Sequence, residues 1–355
     1  MGRAEISDLL DRRRDAARYG PPRASSAAWR GLSALQWIAL AAAVTAVSAL
    51  LWSRPAAAAP LAVAAAAAGF LTVSLWRMLL VVMSATPAGP RPDAGPGDLP
   101  PYTVLVALHD ETEVVEQLVG RLARIDYPPD RLQGLLILEA HDHQTIAAAL
   151  AARRPAWLDV FIAPPGAPGT KPRALNCALP HVTGALLTVY DAEDEPDPLQ
   201  LREAAARFAG DAGGRLACLQ APLRIRPGRR GPDGSPFLDR QFAAEYASLF
   251  ETALPGMARL GLPFPLGGTS NHFRVDVLRA VGGWDAFNVT EDADLGFRLW
   301  SHGWRLGVIT RPTWETPPGG LADWLPQRTS CVPFSAWTRA GHFADHPTGY
   351  GALAG

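Results

Sequence analysis

Apolar residues are distributed unevenly along the chain. Residues 33–52 form a mostly apolar run of 20, and a second run covers about 57–83 with Arg77 as its one charge. Each is long enough to cross a hydrocarbon core of roughly 30 Å at ~1.5 Å per residue. Trp37, Trp52 and Trp76 lie near the ends of these runs, where interfacial aromatics collect. The pattern predicts a transmembrane hairpin over 31–84. The competing reading, a pair of Ala-rich buried helices, needs protein cover that no other part of the chain supplies. A signal peptide fits poorly, because the first run starts late, is long, and is followed closely by another. Seven arginines stand in the first 30 residues, and Arg54 stands in the connection between the runs. By the positive-inside rule, this Arg-rich tail (1–30) and everything after the hairpin face the cytoplasm. That expectation corresponds to a multi-pass protein of a bacterial inner membrane.

Residues 85–101 read as a Pro/Gly linker. Beyond it the pattern alternates between continuous apolar runs of strand length and amphipathic segments of helical period. Strands are expected at 102–108, 132–138, 158–163 and 186–190. Helices are expected at 113–124 (with Val114, Leu118, Leu122 and Ile125 on one face), 145–152, 174–179 and 292–300. Segment 242–254 reads as an amphipathic helix suited to a membrane surface. Strands alternating with helices imply an α/β domain with a mainly parallel sheet, whose ligands bind at the carboxyl ends of the strands. The polar clusters 109–111, 139–142 and 191–194 fall at those ends.

Composition narrows the chemistry further. The formal net charge of −1 over 355 residues gives no field suited to nucleic acid. Cys177, Cys218 and Cys331 lie far apart without a CxxC pair, which argues against structural zinc or a disulfide framework and fits a reducing compartment.

The densest acidic cluster is Glu291, Asp292 and Asp294, among Trp284, Phe287, Val289, Leu295, Phe297, Leu299 and Trp300. Carboxylates in apolar surroundings have raised pKa values and serve as proton acceptors, so Glu291 and Asp292 are general-base candidates. The alternative is an acidic first helical turn capped by Thr290. Asp191 and Glu193, after a buried strand, suit a hard divalent cation such as Mg²⁺ or Mn²⁺; an acidic turn ending at Pro196 is the alternative. Lys171 and Arg173 at a helix start suit a phosphate, or form an ordinary basic turn. Asp110 and Glu111 suit a base or ribose, or cap the following helix.

These clusters occur together in one family. Segments 103–111 (TVLVALHDE), 170–179 (TKPRALNCAL), 189–198 (VYDAEDEPDP), 266–274 (LGGTSNHFR) and 282–295 (GGWDAFNVTEDADL) resemble the family 2 glycosyltransferases, including cellulose-synthase-like membrane polysaccharide synthases. The resemblance covers about 102–329. It implies a GT-A-type, Rossmann-like fold and an inverting transfer of sugar from a nucleotide-diphosphate sugar, most simply a UDP-sugar, to a glycan or lipid-linked acceptor beside a lipid bilayer. Exopolysaccharide or cell-envelope glycan synthesis is the implied setting. It also implies roles for residues. Asp110 or Glu111, together with Glu139, would contact the nucleoside and Lys171 the diphosphate. Asp191 and Glu193 would hold Mg²⁺ or Mn²⁺, Asn271, Gln327 and Arg328 would line the substrate site, and Asp292, with Glu291 beside it, would be the base. The sequence departs from the family at Ser330 and Cys331, which replace the Arg and Trp of its Gln-x-x-Arg-Trp motif. The tail 330–355 lacks helical amphipathicity and the further spans of a processive synthase. A non-catalytic nucleotide-sugar-binding scaffold or a truncated synthase is therefore the alternative expectation.

Overall fold

A computed structural model describes residues 34–53, 55–85, 99–226, 236–288 and 290–316. The Arg-rich tail, most of the linker, Val289, Gln327, Arg328 and the tail beyond them lie outside the described residues.

Helices α1 (Ala34–Ser53) and α2 (Pro55–Ala85) occupy the expected hairpin region. One segment, Pro60–Ala85, is long and apolar enough to cross a membrane, and the apolar stretch of α1, Trp37–Ser53, is shorter. The expectation of two spans therefore stands on one helix of full length. Large apolar side chains are exposed all around both helices, among them Ile38, Trp52, Phe70 and Val82. In α2 Leu80 alone is buried among the described residues.

The domain that follows comprises β1 (Tyr102–Leu108), α3 (Val115–Leu122), β2 (Leu132–Glu139), α4 (His143–Ala151), β3 (Leu158–Ala163), α5 (Lys171–Ala178), β4 (Leu186–Tyr190), β5 (Glu195–Pro196), α6 (Gln200–Ala209), β6 (Leu216–Gln220) and β7 (Leu223–Ile225). Then come α7 (Pro236–Tyr246), a widened π turn (Ala247–Ala253), α8 (Leu254–Arg259), β8 (Asn271–Arg274), α9 (Val275–Ala280), α10 (Glu291–Ser301), β9 (Arg305–Val308) and β10 (Thr313–Glu315). Seven strands form one sheet in the order β3-β2-β1-β4-β8-β6-β9. Strands β3, β2, β1 and β4 are parallel, and β8 runs against both β4 and β6. A second sheet has the order β5-β10-β7.

Period-2 alternation divides the core between the two faces of the large sheet. Leu105, Leu135 and Leu187 point into one apolar cluster, while Val104, Val106 and Leu136 point into the other. The chain passes from β1 outward to β2 and β3, then returns to β4 on the other side of β1. This reversal opens a crevice at the carboxyl ends of β1 and β4, the usual ligand position in such sheets.

Two glycines bring α2 and the site loop together. A Cβ on Gly256 in α8 would meet the Leu80 carbonyl oxygen at 2.8 Å, so α8 lies directly on the α2 backbone. A Cβ on Gly267 would meet the Phe250 ring at 3.0 Å, so the π turn lies against the loop entering β8. The expected helix 242–254 is part of this longer, bulged run. Helix α5 begins at Lys171, three residues ahead of expectation, and α3 is shorter than expected at both ends.

Candidate active site

Asp191 follows β4, and the turn after it is closed by Asp194. The buried Asp194 carboxylate accepts from the Asp191 amide at 2.8 Å and from the Thr269 hydroxyl. That fold leaves Asp191 and Glu193 free of turn-closing duty. The Lys171 ammonium, on the first residue of α5, donates to Asp191 Oδ1 and to the Gly268 carbonyl at 2.7 Å. Burial alone would push the Lys171 pKa down. Asp191 foremost, then Asp292 and Glu291, reverse this and hold it well above the usual lysine range.

The Gly267–Thr269 loop is fixed by Gln220. Its amide oxygen accepts from Gly267 N at 2.8 Å, and its amide nitrogen donates to the Thr269 carbonyl at 3.0 Å. Asn271 donates to the Gly267 carbonyl at 2.5 Å, so its amide nitrogen supports the loop from beneath. An Asp292 carboxylate oxygen approaches Gly268, 3.8 Å from where a Cβ would stand. Lys171, Asp191, Gly268 and Asp292 thus meet at the carboxyl edge of the sheet.

Carboxylates dominate this place. Burial raises Asp292 to about 6, with Lys171 pulling it down. Burial and then Asp292 push Glu291 well above the carboxylate range. Glu111 is raised to about 8 by burial, Glu193 and Asp191, and Glu193 is raised by burial and Asp191. Glu315, on β10, is raised to about 8 by burial, Asp191 and Glu193. Six carboxylates therefore share the field of one ammonium. Glu111 Oε2 and Asp194 Oδ1 are buried without a hydrogen-bond partner. Unpartnered oxygens and excess negative charge are what a hard divalent cation needs, so the donor set fits Mg²⁺ or Mn²⁺.

A second acidic group lies nearby, after β1 and β2. One ligand atom each from His109, Asp110 and Asp142 falls within 4.8 Å of the others. Asp142 is committed: it caps α4 by accepting from Thr145 N at 3.0 Å and also accepts from Asp110 N at 2.8 Å. Asp110 adopts a left-handed backbone (φ 55°) with its carboxylate mostly exposed. Glu139 is paired with Arg173 at 3.2 Å, and Arg173 also donates to the Pro164 carbonyl. Arg173 therefore turns from the crevice that Lys171 enters.

Some expectations about the acidic helix change. Thr290 does not cap α10; its hydroxyl and amide both turn to the Asn288 side-chain oxygen. Asp294 pairs with Arg298 at 3.2 Å. Trp284, Leu295 and Leu299 do bury the acidic turn, whereas Phe287, Phe297 and Trp300 are exposed.

Sequence reasoning missed Gln220, Thr269, Asp194 and Glu315. For Lys171 a stronger signal was present: it is the one lysine among 33 basic residues. A chain that otherwise uses arginine has a compact point charge here, bonded to Asp191 and the Gly268 carbonyl, and the two cations are not interchangeable.

Residues 100–329 match the family described as "Glycosyltransferase like family 2". The chain is 29% identical over 253 residues to a beta-monoglucosyldiacylglycerol synthase of Synechocystis sp., covering 69% of this chain and 50% of that protein. It is 24% identical to a probable glycosyltransferase, YdaM, of Bacillus subtilis, covering 77% and 66%. It spans about half to two thirds of the length of these relatives. In fold it is similar to the mannosyltransferase PcManGT from Pyrobaculum calidifontis, solved in complex with GDP-Man and Mn²⁺. The TM-score is 0.57 at 21% identity, covering 76% of this chain and 72% of that one. With its parallel sheet, its switch-point crevice and a family match over most of its length, the chain belongs to the family 2 glycosyltransferases.

Proposed function

We propose that this protein is a membrane-anchored, inverting glycosyltransferase that moves a sugar from a nucleoside-diphosphate sugar to an acceptor hydroxyl. The observation that carries the reading is Lys171, gripped by Asp191 and the Gly268 carbonyl beside the buried Asp292 carboxylate.

The crevice suits the donor. Glu111 and Asp110 border it after β1, which supports a nucleoside lodged at that end. An ammonium carries three donors, and two are in use, leaving one for a phosphate oxygen. Asp191 and Glu193 would hold Mg²⁺ or Mn²⁺, which supplies positive charge against the leaving diphosphate. Asp292 accepts the acceptor hydroxyl proton as the new oxygen–carbon bond forms at the anomeric carbon. The bond to the diphosphate oxygen breaks on the opposite face. A value about 6 keeps Asp292 ionised at neutral pH yet basic enough for the task.

The acceptor we favour is lipid-linked. Helix α2 is apolar but for Arg77 and a few hydroxyls, and among its described side chains Leu80 alone is buried, which suits a bilayer core. Its Leu80 turn abuts α8, so the domain is held at the membrane surface. The named activity of the Synechocystis relative supports a glycolipid product. Together with the Arg-rich tail, this supports a domain on the cytoplasmic face of a bacterial inner membrane, with α1 and α2 as its hairpin.

The test is release of nucleoside diphosphate from a panel of activated sugars by the full chain in lipid nanodiscs. Mn²⁺ and EDTA arms and a diacylglycerol acceptor complete the design. Release that needs both cation and lipid acceptor is expected. Release from none of the donors, or a parent rate from Asp292→Asn, overturns the reading.

A further inference from the structure

Among the described residues of the domain that follows the hairpin, six large apolar side chains are exposed, and three of them, Leu260, Phe297 and Trp300, fall on one surface. Single exposed apolar residues need no explanation, but a shared surface does. Leu260, 37% exposed, ends α8 four residues after Gly256, on the helix face that Gly256 lays against Leu80 of α2. Gly261 follows in a left-handed conformation (φ 68°) and turns the chain back. Its carbonyl accepts from the Trp300 indole nitrogen at 3.1 Å, which brings α10 beside the end of α8. Trp300, 44% exposed, and Phe297, 42% exposed, stand three residues apart on one face of α10. The opposite face is fixed in the core by Leu295 and Leu299. A Cβ on Gly296 would meet the Phe264 carbonyl oxygen at 2.5 Å, so the α10 backbone lies directly on the segment after α8. The helix is thus held with Phe297 and Trp300 outward.

We propose that Leu260, Phe297 and Trp300 form a second contact with the lipid bilayer, sunk into the boundary between headgroups and acyl chains beside α2. The inference rests on the membrane-anchored reading above. Lipid is the occupant because the surface is continuous with α2, the one described helix long and apolar enough to span. Leu80 stands about 8 Å from the end of that helix at ~1.5 Å per residue, and interfacial apolar faces sink roughly 5–10 Å. The tryptophan suits that depth. A backbone carbonyl satisfies its indole N–H while its ring stays outward, and such rings collect at the membrane boundary. The contact bears on the site as well. Asp292 lies ~12 Å along α10 from Trp300, so a helix resting on the bilayer sets the height of the base above it, where a lipid-linked hydroxyl arrives.

Photolabelling of the full chain in lipid nanodiscs tests this. The probe is a phosphatidylcholine with a diazirine in its acyl chain, and the labelled residues are read by mass spectrometry. Label is expected along residues 60–85 and also at Leu260, Phe297 and Trp300. If α2 takes label and these three do not, they face water, a second copy or another part of this chain; the inference fails and the anchored reading stands. If α2 takes none either, the anchored reading falls with the inference. A double variant, Leu260→Gln with Phe297→Gln, separates lipid contact from packing, because both side chains already point outward. Label at Trp300 should drop several-fold while label along α2 and the melting temperature stay at the parent level. Restoring apolar character with Phe297→Leu in place of Phe297→Gln should recover part of the Trp300 label. If the double variant melts lower and keeps the parent label at Trp300, the two residues serve packing and the inference fails.

Discussion

Asp142 and Asp191 follow β2 and β4, the two strands that flank β1, at one edge of the sheet, yet their surroundings treat negative charge in opposite ways. Asp142 is surrounded by donors. Burial pushes its pKa up, but hydrogen bonds from Thr145 and the Asp110 amide outweigh that and hold it below the usual range. Around Asp191 the balance is reversed. Glu111, Glu193, Glu291, Asp292 and Glu315 are all raised, burial being the largest cause in each, and Lys171 is the cation they share. One group uses carboxylates to close loops; the other keeps them close to one another short of donors. Acid density alone does not distinguish a site from a cap. The distinction lies in which oxygens remain unpaired.

The largest effect belongs to Asp292. Asp292→Asn keeps the shape and removes the proton acceptor, so transfer should fall by ~10²–10⁴. Mn²⁺ binding and melting temperature should stay near the parent. A variant with parent turnover would place the base elsewhere.

Lys171→Arg comes next. The substitution keeps the charge but replaces a compact ammonium, bonded to Asp191 and the Gly268 carbonyl and 15% exposed, by a planar fork of different reach. We expect kcat/KM to fall by roughly 10². A parent-like rate would mean that charge alone is needed there, and the contrast between the one lysine and its arginine-rich chain would lose its meaning.

Much of this was legible in the sequence. Strands β1 and β4 lie where their mostly apolar runs put them, because strands buried on both faces have little competing pattern. The joining of Lys171, Asp191 and Asp292 was implied by the family resemblance, since only Asp191 follows a strand and the other two stand at helix starts. The small sheet was not legible. β5, β7 and β10 have two or three residues each, too few to display a period, and so Glu315 passed unnoticed. Gly256 gave no signal because its partner, Leu80, lies 176 residues away and the contact is purely tertiary. The Thr290 cap failed for a local reason: Asn288, two residues earlier, competes for the same groups.

The two groups should also respond to pH with opposite sign. Glu111 and Glu315 have folded values about 8, above the usual glutamate range. Each therefore stabilises the metal-free protein fully below pH ~4 and loses that contribution as pH rises toward 8. The slope is at most ~1.4 kcal/mol per pH unit per group. Metal-free stability should decline from pH 5 to 8, and Mn²⁺ should flatten the decline. Melting curves across that range decide it; a metal-free protein that gains stability steadily to pH 8 contradicts the raised values.

The smallest effect is the sharpest control. Asp142→Ala removes the cap of α4 and the acceptor for the Asp110 amide. Loss of a helix cap costs about 1 kcal/mol, so the melting temperature should drop modestly. Because the folded Asp142 value is depressed, its contribution is present above the usual carboxylate range and is lost as pH falls. The deficit of the variant should therefore be greatest at neutral pH and shrink in acid, the reverse of the Glu111 and Glu315 behaviour. Mn²⁺ affinity should be unchanged. If instead Asp142→Ala abolished Mn²⁺ binding while Asp191→Asn did not, the His109, Asp110 and Asp142 group would be the cation site, and unpaired oxygens would be a poor guide to where a cation binds.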